Sequence, residues 1–322
     1  MLNRKLASNI IDLYKFRFDE LKINHVSTLK NAILNVSTVE ECIKLFKLID
    51  IFTSNNPTLC MKDDLFSLES KLFEIATKNK SKNRAYSYDL SNSNEKSHYT
   101  DILIISPSIS DKILRYAGCL KEKFGIYCNI ILFNNFTLNK PYSCKSKVWY
   151  PSEKKENVRV DNDIVLIDIV QTEDELIKAC KYKFSRSLVF TMGCGKFSRD
   201  VIDIFKNGII NIHNGFLPYF RGLDSPGWSF LLSEPFGVSA HKINCEFDLG
   251  SLVCSRQVET GRKMEFSNVT SSMMIDITKV TIIEKKTLLT KEINGGSYYP
   301  PLGDLAIDFL ERKHEDIFIG RH

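Results

Sequence analysis

The sequence predicts an α/β fold: a Rossmann-like, mostly parallel sheet, preceded by an N-terminal helical domain and closed by a small C-terminal extension. From Asp101 onward, short apolar runs alternate with helix-length stripes: DILIIS, then Lys112 to Phe124, then Cys128 to Phe133. That alternation is the pattern of β-α-β units whose strands are covered on both faces. Residues 1–80 instead show only apolar spacings of three and four, the mark of amphipathic helices. With 322 residues, 43% of them apolar and 11% aromatic, there is enough chain for a sizeable core and for two domains, or one domain with an appendage.

The helical stripes run through Leu6, Ile10, Leu13, Tyr14 and Phe18, then Cys42, Leu45, Phe46, Ile49 and Phe52, then Leu65, Leu68, Leu72 and Ile75. Thr38 ahead of Glu40 and Glu41 reads as the start of the second helix. Stripes of this kind form core or a partner surface, so residues 1–80 are expected to shield the core or to self-associate as a homodimer. Residues 81–100 lose apolar periodicity and are rich in Lys, Asn and Ser, which predicts a linker with an inert His98. The catalytic core is expected over 101–260, and a helix with a closing extension over 261–322. Within the core, further strands are read at Ile164 to Val170, Leu188 to Thr191 and Gly237 to Ile243. Helices are read around Glu173 to Ala179, from Ser198, and as one long element from Asn268 to Thr290 with Met273, Ile277, Val280 and Ile283 on one side. The Ser106 to Ser110 loop has no Gly-x-Gly-x-x-Gly, which excludes a dinucleotide fingerprint there.

The chemistry is concentrated between Gly208 and Gly250. Asn211 and His213 follow an apolar run, and residues two apart on a strand share a face. Both are expected near the strand's carboxyl end, where open α/β sheets keep their sites. Asp248 follows in Asp-Leu-Gly. An amide to hold an oxyanion, an imidazole to take a proton and a carboxylate to orient it are the parts that acyl transfer needs. With no Ser or Cys in the trio, direct attack without a covalent enzyme intermediate is expected.

NIHNGFLPYFRG, the Trp228 that follows, and His241-x6-Asp248-x-Gly250 resemble the signature of 10-formyltetrahydrofolate-dependent formyltransferases. Asn214-Gly215 stands where Pro-Ser is commonest, and Asp224-Ser225-Pro226 departs from the usual run of small residues. SYYPPLGDLAIDF resembles the end of the core in methionyl-tRNA and amino-sugar members, so the resemblance spans roughly Asp101 to Phe309. It implies 10-formyltetrahydrofolate as the formyl donor, with Met192, Gly193, Phe197, Cys245, Glu246 and Phe247 beside it. On the acceptor side it implies Asn214, Phe220, Arg221, Gly222 and Trp228. Asn211 would donate to the oxyanion, His213 would take the proton of an attacking amine, and Asp248 would hold the His213 tautomer and stabilise its cation.

Other readings bound this one. Nine scattered cysteines without Cys-x-x-Cys suit neither a disulfide framework nor a zinc site, so no metal is expected and a reducing cytoplasm is. No run approaches twenty apolar residues, so no membrane partner is expected. A net charge of +5 with mixed signs reads as a solvated Lys-rich surface. Cys194 reads as a small core residue and His241 as a structural one. The chain ends thirteen residues after Phe309 with no basic and aromatic segment that reads as RNA-binding, so no nucleic-acid partner is expected. The expected acceptor is therefore a nucleotide-linked amino sugar of the dTDP type. Formyltetrahydrofolate hydrolases resemble the chain too, with water as acceptor, but lack the Arg221-Gly222 pair. Formyl transfer to another amine such as that of methionyl-tRNA, and a non-catalytic scaffold built on the helical domain, are the remaining alternatives.

Overall fold

The computed structural model describes residues 26–38, 87–133, 163–232, 234–246, 248–259 and 263–299, with single positions between 41 and 75. Expectations resting on residues 6–18, Phe46, Phe52, Leu65, Leu72, 136–160, Phe247 and 300–322 lie outside them.

The chain after Asp101 builds an eight-stranded sheet. Its strands are β2 (Ile102–Ser106), β3 (Cys128–Phe133), β4 (Ile164–Val170), β5 (Leu188–Thr191), β6 (Ile209–His213), β8 (Phe236–Ile243), β9 (Gly250–Val258) and β11 (Lys291–Glu292). The spatial order is β11-β9-β8-β6-β5-β2-β3-β4. From β6 to β4 neighbouring strands are parallel, whereas β8, β9 and β11 continue the sheet antiparallel. The expected strands at Ile164, Leu188 and Gly237 are all present.

Alternation within the strands sorts side chains onto two cores. Ile102, Ile104, Ile130, Phe190, Ile210 and Ile212 pack under α2 (Asp111–Phe124) and α6 (Lys263–Thr278). Leu103, Ile105, Ile131, Val189 and Ile209 face α3 (Glu173–Cys180) and α4 (Arg199–Ile204) through Leu176, Cys180 and Val201. Each such aliphatic side chain contributes roughly 1.5–3 kcal/mol when fully buried. Polar pins add direction: Tyr116 Oη lies 2.7 Å from Thr278 Oγ1, and Ser271 Oγ donates to the Lys112 carbonyl at 2.9 Å, joining α2 to α6. Local chemistry sets the helix ends. Thr172 and Glu175 form a reciprocal capping box at α3, Ser198 accepts from Val201 N–H at α4, and Gly125 at φ 66° ends α2.

The chain passes from β2 to β3 on one side of β2 and returns to β5 on the other, with α2 and α4 on opposite faces. The crevice at the carboxyl ends of β2 and β5 is thus the topological switch point.

Several expectations change. Residues 92–96 are strand, not linker: β1 (Asn92–Lys96) pairs antiparallel with β10 (Lys286–Leu288), and Tyr88 bridges Ser255. Asn-Ser-Asn-Glu-Lys carries no apolar alternation because β1 is held by backbone bonds at an exposed edge. The long helix expected to Thr290 instead ends at Thr278, passes through a wider π turn over Lys279–Ile283 and gives way to β10 after Lys285 at φ 52°. Ile283 is accordingly exposed while Met273 and Ile277 are buried.

In the N-terminal part, α1 (Val26–Leu34) buries Leu29 and Ile33, and Cys42, Leu45, Ile49 and Leu68 of the expected stripes are buried. The start at Thr38 is present as a reciprocal cap: Thr38 Oγ1 accepts from Glu41 N–H, and the Glu41 carboxylate accepts from Thr38 N–H.

Candidate active site

Asn211 and His213 alternate with Ile210 and Ile212 on β6, so burying the isoleucines under α2 and α6 turns the two polar side chains to the other face. The antiparallel register with β8 sets His241 opposite Asn211 and Ser239 opposite His213. Asp248 follows in the turn between β8 and β9 at φ 48°, a left-handed conformation that aims its carboxylate back at the pair.

The polar groups meet as follows. Asn211 Nδ2 lies 3.0 Å from His241 Nε2. Asp248 Oδ1 lies 3.7 Å from His213 Nδ1 and 3.8 Å from His241 Nε2, while Oδ2 accepts the Gly222 N–H at 2.6 Å. His213 Nε2 lies 2.6 Å from the Phe220 carbonyl oxygen and 3.2 Å from Ser225 Oγ. The expectation that Asp248 holds the His213 tautomer is therefore corrected. At 3.7 Å the carboxylate is beyond hydrogen-bond reach, and the Phe220 carbonyl holds the ring. Ser225, which sequence reasoning passed over, joins the site because Asp224 and Pro226 start α5 (Ser225–Leu231) beside the imidazole. Pro at the opening of that helix was the available signal.

His241 is fully buried, and burial pushes its pKa down to about 4 against the opposing pull of Asp248. It is neutral at pH 7 and can accept the Asn211 amide hydrogen. His241 is thus more than a filler of its strand: it fixes how the Asn211 amide is turned.

The loops around the trio fall into two walls. After β5, Gly193 at φ 73° is exposed, with Pro107 of the β2 loop 3.7 Å from where its Cβ would be, so backbone lines the switch-point crevice. Lys196 of this loop reaches Glu246 of the β8 loop at 3.5 Å, closing the distance between two segments expected beside the donor. Cys245 is half-buried next to Glu246. Met192 and Phe197, also expected there, point into the cores instead: Met192 packs with the α2 side, and Phe197 stacks on Phe133 at 5.7 Å. Cys194 is a core residue as expected, its thiol donating to the Ile105 carbonyl.

On the acceptor side, β7 (Phe220–Gly222) pairs in parallel with β12 (Ser297–Tyr299). Phe220 stacks on Tyr299 at 5.2 Å and Trp228 leans on the same ring at 5.3 Å. Both are buried, so their rings carry the β7–β12 pair and do not offer ligand surface, a correction to their expected role. Gly222 at φ 98° is needed for packing, because a Cβ would stand 2.2 Å from the Tyr299 oxygen. Arg221 and Asn214 remain half-buried, and the Arg221 Nε is buried with no hydrogen-bond partner among the described residues. Burial, reinforced by Asp248 and opposed by Arg221, raises the pKa of Tyr298.

An amide, an imidazole and a carboxylate thus meet at the carboxyl end of a parallel strand, beside a backbone-lined crevice, and these are groups that acyl transfer can use. Residues 160–274 match the model of the formyl transferase family. Methionyl-tRNA formyltransferase of Clostridium beijerinckii is 24% identical over 159 residues, 49% of this chain and 49% of that protein. Its counterpart in Solibacter usitatus is 36% identical over 64 residues, 20% of this chain and 21% of that one. The chain thus aligns with half or less of the length of these relatives. Among solved structures, a sugar N-formyltransferase from Shewanella sp. is 17% identical, covering 66% of this chain and 88% of that one at a TM-score of 0.42. The Anoxybacillus kamchatkensis formyltransferase, in complex with UDP-4,6-dideoxy-4-formamido-L-AltNAc and tetrahydrofolate, is 18% identical, covering 69% and 92% at a TM-score of 0.37. No helix among the described residues is long and apolar enough to cross a membrane.

Proposed function

We propose that the chain is an N-formyltransferase that moves the formyl group of 10-formyltetrahydrofolate to the amine of a nucleotide-linked amino sugar. The observation that carries the reading is the convergence of Asn211, His213 and Asp248 at one strand end, with Asp248 Oδ1 3.7 Å from the imidazole. The donor supplies an activated formyl group, and the crevice suits a flat ring, since Gly193 presents backbone without a side chain. In this reading Asn211 donates to the oxyanion, an interaction worth roughly 3–4 kcal/mol when one donor is lost. His213 takes the amine proton, and Asp248 stabilises the resulting cation.

The acceptor is proposed from the sequence resemblance and from Arg221, whose buried Nε suits an anionic group of a sugar nucleotide. The similarity to methionyl-tRNA formyltransferases favours a second acceptor, the methionyl amine of charged tRNA. One assay separates them: release of tetrahydrofolate from 10-formyltetrahydrofolate, with 3-amino and 4-amino dTDP-sugars, with UDP-amino sugars, with methionyl-tRNA and with no amine. Release dependent on one sugar nucleotide is the expected outcome. Dependence on methionyl-tRNA would replace the acceptor, and equal release without any amine would make water the acceptor.

A further inference from the structure

We propose that the rim of the sheet opposite the crevice docks on an anionic lipid surface, through cations that the fold gathers from four segments. The rim lies at the amino ends of the parallel strands. α3 follows the carboxyl end of β4 and returns to the amino end of β5 through a turn that carries Lys181, Lys183 and Arg186. Backbone hydrogen bonds join the other three segments to this turn. Lys206 N–H, between α4 and β6, donates to the Ser185 carbonyl at 2.9 Å, and Thr100 N–H, just before β2, donates to the Arg186 carbonyl at 3.2 Å. Ser97 N–H donates in turn to the Lys285 carbonyl at 2.9 Å, which brings Lys96 and Lys285 to the same end of the sheet.

Lys96, Lys181, Lys183, Arg186, Lys206 and Lys285 are all exposed, and among the described residues none has a carboxylate within ion-pair distance. The acidic side chains of these segments do not neutralise them. Glu284 pairs with Lys286 at 3.1 Å and with Lys279 at 3.8 Å, and Asp101 accepts from Ser187 Oγ. Glu95 lies on the other side of β1 from Lys96, and Asp203 stays exposed on α4. Where β1 meets β10, Lys96 faces Lys286 directly. Like charges placed opposite each other weaken a ladder, so the fold carries this pair at a cost.

The chemistry of the rim selects the partner. All but one of these cations are lysines, hydrated point charges that suit a diffuse anionic surface, whereas bidentate recognition of single phosphates favours arginine. Tyr182 is 89% exposed between Lys181 and Lys183, with Lys181 Nζ 5.9 Å from its ring centre. One tyrosine flanked by lysines matches the belt where a bilayer meets water; a nucleic-acid strand needs a series of rings on which successive bases stack. The lack of a membrane-crossing helix among the described residues bears on spanning a bilayer, not on resting against one. In this pose the crevice at the carboxyl ends of β2 and β5 faces away from the lipid and stays open to soluble ligands. Docking does not depend on which group the crevice transfers.

The test is co-sedimentation of the full chain with vesicles of phosphatidylcholine alone and of phosphatidylcholine and phosphatidylglycerol in equal parts, at low and at high salt, beside a gel shift with polyuridylate. The chain is expected to bind the anionic vesicles only, and less as salt rises. Replacing Lys181, Lys183 and Arg186 together with Ala should lower the partition onto those vesicles about a hundredfold, with the far-ultraviolet circular dichroism unchanged. Lys96→Ala combined with Lys285→Ala, distant in sequence but on the same rim, should lower it about tenfold. Tyr182→Ala should weaken binding and keep its salt dependence. Equal binding to neutral vesicles, no binding to either kind, or wild-type binding by the triple variant overturns the proposal. Wild-type binding by the Lys96 and Lys285 variant overturns the shared rim. Polyuridylate binding that these variants lose, without vesicle binding, would put a nucleic-acid strand in place of the lipid.

Discussion

Asn211 has two amide hydrogens, and His241 takes one of them at 3.0 Å. In the proposed mechanism the other is the one that meets the oxyanion, so the neutral state of His241 would matter to a residue it opposes across the sheet. Asn211→Ala and His213→Ala should each lower turnover by about a hundredfold or more while the far-ultraviolet circular dichroism is unchanged; near-normal rates would remove them from the mechanism. His241 also ties stability to pH. Its folded pKa of about 4 lies below the ordinary 6.5, so the unfolded chain binds more protons between those values. Stability from this residue is complete above pH 6.5 and is lost as pH falls toward about 4, on the order of 3 kcal/mol in all. Urea unfolding followed across that range should show a steeper loss for the wild type than for His241→Gln. Parallel profiles would place the pH dependence elsewhere.

Elements were legible in proportion to how far their signal was local. β2, β3, β5 and β6 are short apolar runs, and alternation on β6 alone separated Asn211 and His213 from Ile210 and Ile212. The β7–β12 pair was not legible, because two three-residue strands far apart in sequence leave no periodic trace. The same distance hid the roles of Phe220 and Trp228: their rings read as ligand surface until Tyr299 is placed between them. Asp248 was legible as a residue, but its distance from His213 was not, since a left-handed turn and the Gly222 N–H fix it. Gly222→Ala would push a Cβ onto the Tyr299 oxygen and should cost about 2 kcal/mol or more. Hydrogen exchange at Leu223, whose N–H donates to Tyr299 at 3.0 Å, should accelerate with it. Unchanged protection there would show that β12 does not depend on Gly222.

At the scale of the molecule, the sheet is tied from outside by chain that reads as polar linker. Ser97 N–H donates to the Lys285 carbonyl, Thr100 N–H to Arg186, and Leu90 and Tyr99 pack against the core under α2 and α6. A chain starting near residue 84 should therefore unfold at nearly the temperature of the full chain's core. One starting at residue 98 should melt several degrees lower, by roughly 4 °C per kcal/mol lost; equal melting temperatures would make β1 dispensable. The seam where β6 meets β8 has a further consequence. Asn211, His213, His241 and Asp248 come from one compact stretch of sequence, closed by antiparallel pairing of near neighbours. The parallel strands on the other side wait on long crossovers. Short loops close sooner than long ones. Pulse-labelled exchange during refolding should thus find β6, β8 and β9 protected before β3 and β4, so that the reactive groups take their places ahead of the crevice they face.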